Sequence, residues 1–123
     1  MIKMTYCLRR LPHLTRESFQ DYWRNAHGPL VQQSAAALNI RRYVQHHTAG
    51  DPINEAMRKG RGAPEAYDGV AELWFDSVES MIAGGSTPEG KAAAKALRED
   101  EARFIDQTRS PLWIGEDHEL VRP

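Results

Sequence analysis

The 123-residue chain has a single cysteine, Cys7, so it can form no internal disulfide and no cysteine-based metal cluster. Charge of either sign is not in excess. Lys and Arg together number 16 against 17 Asp and Glu, a formal net charge of -1, which provides no global field for nucleic acid or an anionic membrane. No apolar run is long enough to span a bilayer, and the first residues lack the apolar core of a secretion signal, so a cytoplasmic protein is expected. His-x-His, His-Glu-x-x-His and Cys/His spacings are missing, and "GGSTPEG" lacks the spacing of a phosphate-binding loop. Neither a metal nor a cofactor is therefore expected, and the default partner is a small, neutral or modestly charged molecule.

Hydrophobic residues make up 41% and charged residues 27%, enough to build a core in one domain spanning residues 1–123. Alternation from Ile2 to Arg10 predicts a strand with Ile2, Met4, Tyr6 and Leu8 on one side. Thr15, followed by Glu17 and Ser18, reads as the cap of a helix. Pro29 is expected to kink that helix or restart it, with helical structure resuming to about Asn39. "IRRYVQHHT" predicts a second strand, "YDGVAELWF" a third with apolar residues on both faces, and "PLWIGEDHELV" an edge-like fourth. Thr87-Pro88-Glu89 opens a long helix reaching about Ile105, whose "REDEAR" segment reads as a solvated end. Residues 49–66 are rich in Gly, Pro and charge and read as a long loop, with "INEAMR" as one helical turn presenting Ile53 and Met57 inward.

Strand, helix, strand, strand, helix, strand is the split βαβ order of a ferredoxin-like α+β sandwich: a four-stranded antiparallel sheet with helices on one face. The third strand's second apolar face would then be open to water, and a second copy stacked on it is the economical cover. A homodimer is expected on that ground.

The stretch "YWRNAHGPL" holds the main chemical candidate. At helical spacing Phe19, Trp23, Ala26, His27 and Leu30 form one apolar stripe, which aims an imidazole at the interior beside Gly28-Pro29. Burial there lowers the pKa of His27 and leaves a neutral ring able to accept a proton; the alternative is a structural histidine bonded to backbone. Tyr6, Trp23, Leu30, Tyr43, His46 and Trp74 are the candidates for lining a small-molecule cavity; the alternative is core packing, favoured for Trp74, and for His46 a solvated place at the strand end, which is favoured there. His46 and His47 are adjacent on a strand, so only one can face such a cavity, and His46 shares its side with Val44. Glu72 is expected to pair with an arginine such as Arg9 or Arg42, and Cys7 to be a small buried strand residue.

The pattern F-x-x-Y-W-x-x-x-H-x-P-L, carried by Phe19, Tyr22, Trp23, His27, Pro29 and Leu30, together with the third-strand "DGVAELWFDS", resembles the EthD domain family of the dimeric α/β barrel superfamily. The resemblance covers nearly the whole chain. It implies a ferredoxin-like subunit, a two-sheet barrel made by the dimer, and a cavity between sheet and helices. The family's name comes from an ether-degradation gene cluster, and related barrels act as isomerases, cyclases, dehydratases or cofactor-free monooxygenases. Two functions follow as expectations. One is a cofactor-independent enzyme in which His27 moves a proton on a small, largely apolar molecule. The other is a non-catalytic binding protein accessory to a degradation pathway.

Overall fold

The computed structural model describes residues 1–123 and contains a four-stranded sheet. Its strands are β1 (Ile2–Leu8), β2 (Arg42–His47), β3 (Gly69–Phe75) and β4 (Leu112–Gly115), in the spatial order β2-β3-β1-β4. All neighbours are antiparallel. The register sets Tyr6 opposite Ala71 and Leu112, and Tyr43 opposite Leu73, so these residues share the face that the helices cover. Lys3, Cys7, Val70, Glu72, Trp74, Val44 and His46 project from the other face.

The first helical segment runs without a break from Arg16 to Ser34, as α1 (Arg16–Tyr22), a π-turn at Trp23–His27, and α2 (Gly28–Ser34). The chain stays helical through the expected break at Pro29, with α-helical bonding interrupted by the π-turn and resuming at Gly28: Gly28 is helical at φ -52, ψ -50, and its N–H bonds five residues back to the Trp23 carbonyl. A proline ring in a regular α-helix strikes the carbonyl four residues earlier, and the wider π-turn just before Pro29 relieves that contact. The extra residue in the turn also moves the apolar stripe. Phe19, Trp23, His27 and Val31 are buried, whereas Ala26 is exposed and Leu30 only half-buried.

Thr15 caps α1 by accepting from the Ser18 N–H, and Asp51 caps a helix in the presumed long loop, α3 (Pro52–Arg61). Here the structure corrects the sequence. Residues 52–61 form ten helical residues rather than one turn, closed by Gly62 in the left-handed region at φ 62, and Ile53 and Met57 point outward at 59% and 48% exposure.

α4 (Val78–Ser86) and α5 (Pro88–Glu101) complete the helical layer, and α5 ends short of the expected Ile105. Phe104 and Ile105 lie beyond it and still join the buried cluster of Leu8, Phe19, Trp23 and Ala71. Gly69 is where helix and sheet approach most closely, since a Cβ there would fall 2.4 Å from the Trp23 ring. Glu72 pairs with Lys3 and not with an arginine, because both sit on the outer face of neighbouring strands. No helix is long and apolar enough to cross a membrane.

Candidate active site

Between the sheet and the helices lies a cavity of about 510 Å³ with a mostly hydrophobic wall. β1 contributes Met4, Tyr6 and Leu8, β2 contributes Tyr43, and β3 contributes Ala71, Leu73 and Phe75. The first helix adds Trp23, His27 and Val31, and α5 adds Leu97, Arg98 and Glu101. Of the residues singled out from sequence, Tyr6, Trp23, His27 and Tyr43 meet at this cavity. Leu30, His46 and Trp74 do not.

The reasons are geometric. The π-turn puts Val31 on the wall in place of Leu30. His46 is exposed on the far face of the sheet, while its neighbour His47 stacks on Trp23 with ring centroids 4.5 Å apart. Trp74 also lies on the far face, with the Arg42 guanidinium 4.6 Å and the Lys3 ammonium 5.5 Å from its ring centroid.

His27 is 5% exposed, and its Nδ1 lies 2.8 Å from Oδ2 of Asp100 on α5. The other carboxylate oxygen, Oδ1, accepts from the Tyr22 hydroxyl at 2.5 Å. Burial alone would raise the Asp100 pKa, but the hydrogen bonds from Tyr22 and His27 outweigh it and hold the group below its ordinary 3.8. An ionised carboxylate only accepts, so Nδ1 carries the ring proton and Nε2 is the lone-pair nitrogen. Nε2 makes no hydrogen bond within the chain and, since no buried side-chain polar atom is left without a partner, it is accessible, on a residue that lines the cavity. Burial pushes the imidazole below its ordinary 6.5, with Asp100 restoring part of the loss. The product is a neutral, oriented base facing apolar space.

A second polar group shares the wall. Burial raises the Glu101 carboxyl above its ordinary 4.5, against the opposing influence of Tyr6 and Arg98. Tyr6 is itself raised, first by burial and then by the charge of Glu101. On the β2 side, Gln45 Nε2 donates to both the Trp23 carbonyl at 2.9 Å and the Tyr43 hydroxyl at 2.8 Å, tying the π-turn to the sheet. π-turns are frequent at functional sites, and here the turn carries both Trp23 and His27.

Asp100 and Glu101 were not recognisable in the sequence because they fall in "REDEAR", a charge run at a helix end. The available signal was their position: read at helical spacing from Leu97, residues 100, 101 and 104 return to the same side of α5. No group of three or more His, Cys, Asp or Glu side chains is gathered where it could hold a metal ion.

A ferredoxin-like sheet, a helical cover on one face and a largely apolar cavity between them define the class of protein. The chain belongs to the EthD domain family, whose model matches residues 11–108. Among curated proteins it is similar to the dehydratase ustZ of Ustilaginoidea virens, 24% identical over 109 residues, covering 86% of this chain and 76% of that protein. Among solved structures it is similar to an ethyl tert-butyl ether degradation (EthD) family protein of Bacillus halodurans. That match has a TM-score of 0.63 and 24% identity, and covers 96% of this chain and 99% of the other. It is also similar to a dimeric protein of ferredoxin-like fold from Bacteroides fragilis, with a TM-score of 0.59, 14% identity, and coverage of 94% and 95%.

Proposed function

We propose that this chain is an enzyme that moves protons on a small, largely apolar organic molecule, in a reaction of the isomerase, cyclase or dehydratase type. His27 is its general base and Asp100 the group that orients it. The observation that carries this is His27 on the wall of an apolar cavity, with Nδ1 fixed on an ionised Asp100 and Nε2 left without a partner. An oriented neutral imidazole on a largely apolar wall is suited to removing a proton from carbon next to a carbonyl. The dehydratase name of a relative supports that direction of chemistry. Tyr6, Trp23 and Tyr43 supply flat walls for a cyclic substrate, and none of these steps calls on a cofactor. The functional unit is a homodimer joined through the outer face of the sheet, a proposal supported by the dimeric state given for the Bacteroides fragilis neighbour.

The test is proton exchange at carbon 2 of 1-tetralone in heavy water, followed by NMR. The protein should accelerate exchange above the buffer rate, and His27→Gln should remove at least ~100-fold of that acceleration, the usual share of a positioned base. A protein that only binds such molecules would protect the ketone without exchanging it. Absence of exchange, or an unaffected variant, would sink the proposal.

A further inference from the structure

Proton abstraction by His27 leaves Glu101 without a task. The other carboxylates that are largely shielded from solvent are engaged: Asp68 by Arg10 and Arg16, Asp100 by Tyr22 and His27, Glu72 by Lys3. Glu101 stands on the cavity wall one residue after Asp100, in no ion pair, beside the Tyr6 hydroxyl, Leu97, Ile105 and the charge of Arg98. A carboxyl facing an apolar cavity is costly for the fold, and the Tyr6 hydroxyl and the Arg98 charge offset only part of that cost. Burial raises its pKa above the ordinary 4.5 against Tyr6 and Arg98, and when protonated it is a hydrogen-bond donor on the cavity wall.

The Tyr43 hydroxyl supplies the third group. It accepts from Gln45 Nε2, which leaves its own proton free for a ligand in the cavity, and burial keeps the phenol protonated. The cavity wall thus brings together a base, an acid and a neutral donor suited to a carbonyl oxygen.

We propose that Glu101 protonates a departing hydroxyl, and that the cavity takes β-hydroxy ketones on an apolar ring system and eliminates water from them; this rests on the His27 base proposed above. Nε2 of His27 takes the proton from the carbon between carbonyl and carbinol. The electron pair of that C–H bond becomes the new C=C bond, by way of an enolate whose oxygen is held by the Tyr43 hydroxyl. The C–O bond at the β carbon breaks, and the leaving oxygen keeps its pair and takes the Glu101 proton, departing as water. Imidazolium and carboxylate are then left in one site, and transfer of the proton from the first to the second through solvent restores the starting state. No oxidation or reduction occurs.

The experiment compares two leaving groups on one ring system: 3-hydroxy-1-tetralone and 3-acetoxy-1-tetralone, both of which eliminate to 1-naphthol, read by fluorescence above the uncatalysed rate. Acetate leaves without being protonated, and hydroxide does not. Glu101→Gln should therefore lower kcat/KM for the hydroxy ketone at least ~100-fold and for the acetoxy ketone less than ~10-fold, whereas His27→Gln should lower both. Equal losses on the two substrates from Glu101→Gln, or less than ~3-fold loss on the hydroxy ketone, would overturn the role of Glu101. Unmodified protein that exchanges 1-tetralone but eliminates nothing, or eliminates acetate but not water, would also overturn it while leaving the His27 base standing. Protein that neither exchanges nor eliminates would overturn both.

Discussion

His27 is held between two opposing influences, and the balance between them has measurable consequences. Burial against Phe104, with ring centroids 5.0 Å apart, disfavours the imidazolium, and Asp100 favours it; burial prevails. The ring should titrate below 6.5 by NMR, and Asp100→Asn should move it lower still, because the opposing charge is then gone. The same shift links pH to stability. With a native pKa below the unfolded value, the unfolded chain binds more protons in that window, so this contribution is fully present above about 6.5. It is lost as pH falls through the native value. His27→Gln should flatten the stability profile between those limits in urea melts at successive pH values. A profile unchanged by the substitution would show that the ring is not buried neutral. His27 was legible as a candidate in the sequence because a polar residue on an apolar stripe stands out locally. Its partner was not, since Asp100 lies 73 residues away and reaches His27 only when α5 packs across the first helix.

Elements with a plain period were legible and those that depart from it were not. β1 and β3 lie where their patterns placed them, and Met4, Tyr6 and Leu8, grouped on one side of β1, line the cavity, whereas Trp74, the cavity candidate on β3, faces away from it. The π-turn defeats a reading at 3.6 residues per turn, because one added residue rotates everything after it by roughly 100° and exchanges Leu30 for Val31 on the wall. α3 was missed for a different reason. Its own punctuation was present, with Asp51 as cap, Pro52 in the first turn and Gly62 past the end, but the abundance of Gly, Pro and charge pointed to a loop. The contact between the first helix and the sheet is also open to test. Gly69→Ala would put a Cβ into the Trp23 ring and against the His46 carbonyl, so overpacking should cost about 1–3 kcal/mol in chemical denaturation. Because Trp23 also lines the cavity, the same variant should lose binding of any ligand that protects the parent. Full stability in Gly69→Ala would mean that the helix is free to rise off the sheet.

On the scale of the whole molecule the two faces of the sheet differ in kind. The inner face is covered by helices over the cavity, whereas the outer face presents Val44, Val70 and Trp74 around the Lys3–Glu72 pair, and its edge strand adds Trp113 at 52% exposure. Leu73, although on the two-faced third strand, faces the cavity and cannot serve as the seam between subunits. A second copy related by a two-fold axis would set each subunit's apolar residues against the same residues of its partner, an isologous contact. It would also remove water from the Lys3–Glu72 pair and so strengthen it, provided the geometry is kept. Sedimentation at micromolar concentration should therefore give twice the mass of the chain. Val70→Glu, which places a carboxylate near Glu72 on the outer face, should yield a monomer, or a mixture that shifts toward dimer as salt screens the repulsion. The inner face lies on the opposite side of the sheet, so the variant should retain the depressed His27 titration even as it dissociates. A monomeric parent protein would exclude the outer face as a subunit interface, and a Val70→Glu dimer as stable as the parent would place the interface elsewhere.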